Sequence, residues 1–176
     1  GDSYRLGLEI DANISLGNAF SIQPNIALST NKNKDFVFER DGSLEELGNT
    51  NIAFSPNVVI GNSLTYSPTE TFQVSFLTKY VGKQYMGNID SENSTLDAYS
   101  QSDLNLQYEI PCNGFLKSIV FSGLINNVFN AKYVSNGYFF TYDDDFSNPG
   151  TITTIEGAGY YPQAGTNFLL GATVNF

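Results

Sequence analysis

Residues 4–16, YRLGLEIDANISL, constrain the fold of this chain more than any other stretch. Tyr4, Leu6, Leu8, Ile10, Ala12, Ile14 and Leu16 share one parity, and Arg5, Gly7, Glu9, Asp11, Asn13 and Ser15 hold the other. Successive side chains of a strand point to opposite faces, so this pattern predicts a strand with one apolar and one polar side. At about 3.4 Å per residue the segment reaches roughly 44 Å, or about 30 Å when tilted near 45°. Strands of soluble proteins are typically only about 5–6 residues long. The segment is long for a sandwich and matches the apolar layer of a bilayer.

The pattern recurs. After the short turn GNA, FSIQPNIALST sets Phe20, Ile22, Ile26 and Leu28 against Ser21, Gln23, Asn25 and Ser29, with Pro24 on the apolar parity, an awkward residue for a central strand. A polar stretch, NKNKDFVFERDGSLEELGNTN, reads as a long loop. PNVVIGNSLTY, FQVSFLTKYVGKQY, LDAYSQSDLNLQYEI, FLKSIVFSGLINNVF and YYPQAGTNFLLGATVNF read as further strands. Tight turns (SPTE, PCNG) alternate with long connections (MGNIDSENST, and residues 130–158, loop-like around DDDFSNPG). The reading is all-β: about seven long antiparallel strands of a transmembrane β-barrel segment, with short turns at one end and long loops at the other. A soluble all-β binding module of lectin-like type is the alternative, supported by the Tyr-, Asn- and Asp-rich loops and a mean hydropathy of −0.18.

Composition narrows the chemistry. The 176 residues carry 18 Asp and Glu against 8 Lys and Arg, a net charge of −10, which removes the clustered cations a nucleic-acid surface needs. There is no His, the commonest general base and metal ligand, and a single Cys112 without a CxxC partner. No Gly-rich phosphate loop occurs. An enzyme is therefore not expected, nor a cofactor. GDSYRLG has neither the charged nor the apolar region of a secretory leader, consistent with a cytoplasmic chain, a removed leader or a piece of something longer.

Two C-terminal segments carry a resemblance. GLINNVFNAKYVSNGY, with Asn126, Asn127, Phe129, Asn130, Lys132 and Tyr133, resembles the penultimate-strand motif of TonB-dependent outer-membrane receptors. YYPQAGTNFLLGATVNF resembles their final strand through Tyr160, Tyr161, Pro162, Gln163, Ala164, Gly165, Asn167, Phe168 and the terminal Phe176. Upstream, Tyr80, Gly82, Tyr85, Tyr99, Asp103, Leu104, Leu106 and Tyr108 match the family in order and spacing. The motif matches cover residues 80–176, whereas residues 1–79 match in strand pattern alone.

The resemblance implies a barrel of about 22 strands closed around an N-terminal plug, of which residues 1–176 would be the C-terminal part, without plug or TonB-binding segment. It further implies a Gram-negative outer membrane and active uptake of a large scarce nutrient. The YVSNGY…YYPQAG form points to a chelate (siderophore iron, haem or cobalamin) rather than the glycan-importing branch, which remains the second alternative. The implied partners are outer-membrane lipid, the remaining strands and plug, the TonB complex and, where one exists, a surface lipoprotein. Phe176 would be an assembly signal read by the insertion machinery, or an interfacial aromatic. The strand around Ile119–Ile125 should pair with the last strand, whose other edge should lie open or meet another chain.

Candidate sites follow from parity and loop composition. Lys79, Lys83 and Tyr85 lie opposite in parity to Phe72, Val74, Phe76 and Tyr80, hence toward the lumen, as substrate or plug contacts or as solvated wall, the plainer reading being favoured. Tyr133, Tyr138 and Tyr142, with Phe139 and Phe140, form either an interfacial girdle or a ligand-stacking surface. Asp143, Asp144 and Asp145, with Asn148, are a weak candidate for a divalent cation, since their spacing is not that of an EF-hand. Glu45 and Glu46 lack a partner for acid–base work, and Cys112 lacks an activating His. Residues 34–51 and 130–158 are each net acidic, which disfavours a strongly anionic ligand.

Overall fold

A computed structural model describes all residues from Gly1 to Phe176. It contains thirteen strands: β1 (Ser3–Asp11), β2 (Ile14–Leu16), β3 (Phe20–Arg40), β4 (Ser43–Asn51), β5 (Val58–Thr69), β6 (Phe72–Val81), β7 (Gln84–Tyr85), β8 (Thr95–Leu96), β9 (Tyr99–Pro111), β10 (Ser118–Asn126), β11 (Val134–Asp144), β12 (Thr153–Pro162) and β13 (Asn167–Asn175). The helical content is one 3₁₀ turn at Glu92–Ser94. Seven strands form an antiparallel sheet in the order β1-β3-β5-β6-β9-β10-β13, with β2 and β4 also paired to β3. The last strand lies against β10, Ile119 facing Val174 and Ile125 facing Phe168. One side of β1 and one side of β13 have no strand beside them.

The registers put the apolar parities of all seven strands on one face. Rows cross the sheet through directly opposed pairs: Leu8 with Leu28, Ile26 with Ile60, Leu64 with Phe76, Val74 with Leu106, and Gly123 with Leu170. The other face carries Gln23, Asn25, Ser63, Lys79, Gln101, Asp103 and Asn105. An aromatic row edges the apolar face near the short turns: Phe20 stacks on Tyr66 at 4.4 Å, and Phe72 meets Tyr108 edge-on at 6.3 Å. Tyr80 lies eight residues beyond Phe72 on the same face, about 27 Å along the strand and roughly 20 Å once tilted, close to the apolar band of a barrel wall.

Nothing covers that face. The accessible surface is 11,324 Å², whereas a compact soluble monomer of 19.3 kDa exposes roughly 8,500 Å². The buried apolar residues are Val81, Met86 and Leu96. Val81 is the last residue of β6, in register with Val59 and Tyr99, and Met86 and Leu96 lie beyond it, between β6 and β9.

Three readings of the sequence need correction. The alternation at 4–16 is interrupted at Ala12–Asn13, directly across from Pro24. The Ala12 N–H donates to the Pro24 carbonyl at 3.1 Å, but proline has no N–H to return the bond, so β1 stops and β2 starts there. Pro24 keeps its place in β3 because both its backbone groups would face that interruption, leaving the β5 side intact. The polar stretch at 31–51 is not a loop. β3 continues to Arg40 and turns at Asp41–Gly42, both at positive φ, and β4 returns along it, as an Asp-Gly two-residue hairpin should. Residues 130–158 are likewise largely ordered strand, as the β11–β12 hairpin, which pairs with no strand of the main sheet.

Candidate functional site

Two surfaces bring together the side chains that chemistry would use. The first is the polar face of the sheet, where a hollow of about 660 Å³ is lined by Asp11, Gln23, Asn25, Lys79, Gln101 and Asp103 among others. Lys79 stands in register between Gly61 and Gln101 and makes no ion pair. The Gln101 amide donates to both oxygens of Asp103 at 2.9 and 3.0 Å, and the Asp103 carboxylate also accepts the Asn127 N–H at 2.8 Å. Tyr133 closes this network: its hydroxyl donates to Gln101 at 2.8 Å and its ring stacks on Tyr99 at 4.4 Å. Tyr133 is thus tied to the wall rather than presented freely.

The asparagines of the C-terminal motif form the knot where β10 ends and β13 begins. Asn127, at positive φ and almost fully buried, accepts the Ala131 N–H and donates to the Ala131 and Ala164 carbonyls. Asn126 donates to Asn167 at 2.9 Å, and Asn130 accepts from Lys132 and Thr166. A Cβ on Gly165 would meet the Asn130 side chain at 2.6 Å. These residues satisfy backbone groups in an irregular crossing, where an unpaired buried polar group would be costly.

The second surface is the cap at the long-connection end. There the tip of β3–β4, residues 82–98 and the β11–β12 hairpin meet. Glu156 accepts from Arg40 at 3.3 Å, from the Asn93 amide at 2.9 Å and from the Ser91 hydroxyl. Arg40 also holds Glu45 at 3.0 Å. Burial works to raise the Glu156 carboxyl, but the hydrogen bonds from Ser91, Asn93 and Arg40, with the Arg40 charge, outweigh it and leave it below its ordinary range. For Arg40, burial works downward and the two carboxylates reverse it, so the guanidinium pKa rises. Around this cluster, Asp41 and Thr154 exchange backbone-to-side-chain bonds at 2.7 and 2.8 Å, and Asp90 receives both the backbone and the side chain of Asn51.

Lys83 and Tyr85 sit in this cap, not in a row with Lys79. Lys83 pairs with Glu92 at 3.5 Å and lies 5.3 Å above the Tyr85 ring. Tyr138 and Tyr142 are exposed on the hairpin. Asp143 and Asp144 lie on opposite faces of β11, Asp143 accepting from Thr154 and Asp144 from the Phe146 and Ser147 N–H groups. No three carboxylates of the molecule converge on a common point. Phe176 lies at the opposite, short-turn end beside Phe115, ring centres 5.2 Å apart. Sequence reasoning missed the Arg40–Glu156 contact. Its one visible signal was Arg40 itself, a guanidinium inside an acidic stretch.

No family model matches the sequence, and no curated protein matches it. Among solved structures, the chain is similar to the crystal structure of the siderophore receptor PiuA from Acinetobacter baumannii. The TM-score is 0.68 at 17% identity, covering 99% of this chain and 22% of that one. The likeness is one of fold, and the chain spans about a fifth of that receptor's length.

Proposed function

We propose that residues 1–176 are the C-terminal part of the barrel of a TonB-dependent outer-membrane transporter, and that the whole receptor imports a metal chelate of the siderophore, haem or cobalamin kind. The observation that carries the reading is the seven-strand sheet itself, one face apolar and uncovered, superimposing over nearly its whole length on a siderophore receptor. In this reading the uncovered face meets lipid and the polar face meets a plug. The free sides of β1 and β13 pair with the missing strands, and the cap faces the cell exterior. Energy reaches the receptor through TonB, by way of a segment preceding Gly1. Phe176, at the short-turn rim, is the end read during membrane insertion.

The glycan-importing branch shares this fold and differs in cargo. A soluble lectin-like module shares only the loop composition, and the excess surface counts against it. Two measurements test the proposal. The protein should stay monodisperse only in detergent or lipid, and a monodisperse detergent-free sample would sink the barrel reading. Cells lacking the whole receptor should lose uptake of an iron chelate under iron limitation. Unchanged chelate uptake with impaired growth on a polysaccharide would move the cargo to the glycan class.

A further inference from the structure

The β11–β12 hairpin has two unlike faces. One packs against residues 82–98: Phe139 covers Gly87, Gly137 lies against Met86, and the Tyr160 hydroxyl donates to the Asn93 carbonyl. The other carries Tyr138, Phe140 and Tyr142 in a row, all about half exposed. Consecutive ring centres are 6.2 and 6.3 Å apart, with planes only 18° and 20° from parallel. Tyr161 joins the row beside Tyr138 at 6.1 Å.

The rings lie flat because the facing strand has glycines beneath them. A Cβ on Gly159 would sit 2.4, 2.4 and 2.6 Å from Cε1, Cζ and the hydroxyl oxygen of Tyr138. A Cβ on Gly157 would sit 2.4, 2.8 and 3.0 Å from Cζ, Cε1 and Cε2 of Phe140. Near-equal distances to successive ring atoms mean that each ring lies broadside over its glycine, with the opposite ring face turned outward. The row ends at Asp144, which shares the parity of Tyr138, Phe140 and Tyr142. Its Oδ1 accepts the Phe146 and Ser147 N–H groups.

Charge selects what can lie on this pavement. Residues 134–162 contain Asp143, Asp144, Asp145 and Glu156 and not one Lys or Arg. Arg40, the cation nearest in the network, is engaged by Glu156 on the opposite face of the hairpin. Ring faces attract cations through their quadrupole, and a carboxylate at the end of the row adds to that field. We propose that the Tyr138–Phe140–Tyr142 face binds a small organic cation, one carrying an alkylammonium or guanidinium group on a flat body. Asp144 keeps its charge to low pH because the backbone and side chain of Ser147 and the backbone of Phe146 hold its carboxyl below the ordinary range. As a statement about cargo, the inference rests on the transport reading; as a binding site it stands without it.

The test uses the full chain in a polyoxyethylene detergent, which has neither charge nor sugar, with binding read by saturation-transfer NMR. The probes are phenyltrimethylammonium, phenyl phosphate and phenyl glucoside. The cation should bind and the other two should not. Tyr138→Leu and Phe140→Leu keep an apolar cover over Gly159 and Gly157 but remove the ring faces, and each should weaken binding about tenfold, or about 1.4 kcal/mol. Asp144→Asn keeps the turn acceptor and removes the charge, and should weaken binding less while abolishing its salt dependence. The proposal is overturned if the cation does not bind, if glucoside or phosphate binds as well, or if the leucine variants bind unchanged. Cation binding by a protein whose loss leaves all chelate uptake intact would uphold the site and remove the chelate cargo.

Discussion

The sheet and the cap are held together by different physics, although the same strands run through both. Short of Val81, where β6 ends, the sheet has neither an ion pair nor a buried apolar residue. It is backbone ladders plus alternation, and its apolar face is stable only against an apolar solvent. The cap contains all three ion pairs of the molecule and all three buried apolar side chains, and it is assembled in the manner of a small water-soluble core. The boundary falls at Val81, the last residue of β6 and itself buried. The sheet's stability is therefore set by what surrounds it, and the cap's by what it encloses.

A charge placed on the sheet should have the largest effect. Leu106→Arg should destabilise the protein in lipid vesicles by about 2–4 kcal/mol. Asn105→Arg, one residue earlier on the polar face, should stay within about 1 kcal/mol. Urea unfolding of the two variants side by side measures the gap, and equal costs would mean that the parity assignment is wrong. Truncation should rank the regions the other way. Leu96, only 1% exposed in the cap, leaves a cavity as Leu96→Ala and should lose about 2–3 kcal/mol. Leu106→Ala should lose about 1 kcal/mol or less, because lipid tails move in where the side chain was.

The same division explains what the sequence revealed. The sheet was legible because a half-buried strand must alternate, and thirteen alternating residues at 4–16 leave no helical reading. Pro24 stood out as an anomaly and turned out to mark a real interruption. The cap was illegible because its strands are wet or aromatic on both sides. SNGYFFTYDD has rings on both parities, and FVFERDGSLEELG mixes charge with apolar residues, so neither shows period 2. One signal is nonetheless present in the cap: Asp41–Gly42 between two strand-like runs is a strong short-range hairpin mark. The motif asparagines were recognised as a pattern, yet Asn127 serves as a backbone acceptor and donor inside a crossing, a role that no spacing rule predicts. Type and proximity in sequence put Tyr133 with Tyr138 and Tyr142, but the structure ties the first to Gln101 and exposes the other two.

A smaller effect separates the regions by pH. Glu156 is depressed in the folded cap, so its contribution is present above the ordinary carboxylate pKa of 4.5 and is lost as pH falls through the lower folded value. Acidification below about 4.5 should therefore loosen the contact of β12 with Ser91, Asn93 and Arg40 while the ladders of β6 and β9 hold. Hydrogen exchange of residues 91–94 and 154–158 should rise before that of residues 72–81. Glu156→Gln should remove the difference by opening the cap at neutral pH, at about 1–1.5 kcal/mol of local stability. Simultaneous loosening of sheet and cap in the wild-type protein would erase the distinction between them.

The smallest effect has the opposite sign and belongs to the sheet. Pro24 deprives Ala12 of the return bond that a paired residue would give, and the ladder between β3 and its neighbour is interrupted for that reason alone, since the register of Asp11 with Asn25 and Ile14 with Ile22 is continuous across the gap. Pro24→Val restores a donor at the right place, with a side chain suited to the apolar face. The new bond contributes about 0.5–1.5 kcal/mol, offset in part by the greater freedom of valine in the unfolded chain, so the net gain should be about 0.5 kcal/mol. It should appear as increased protection of the residue 24 amide and of Ala12–Asn13, with no change at Leu96. A loss of stability would show that the Ala12–Asn13 break is imposed by something other than the missing N–H.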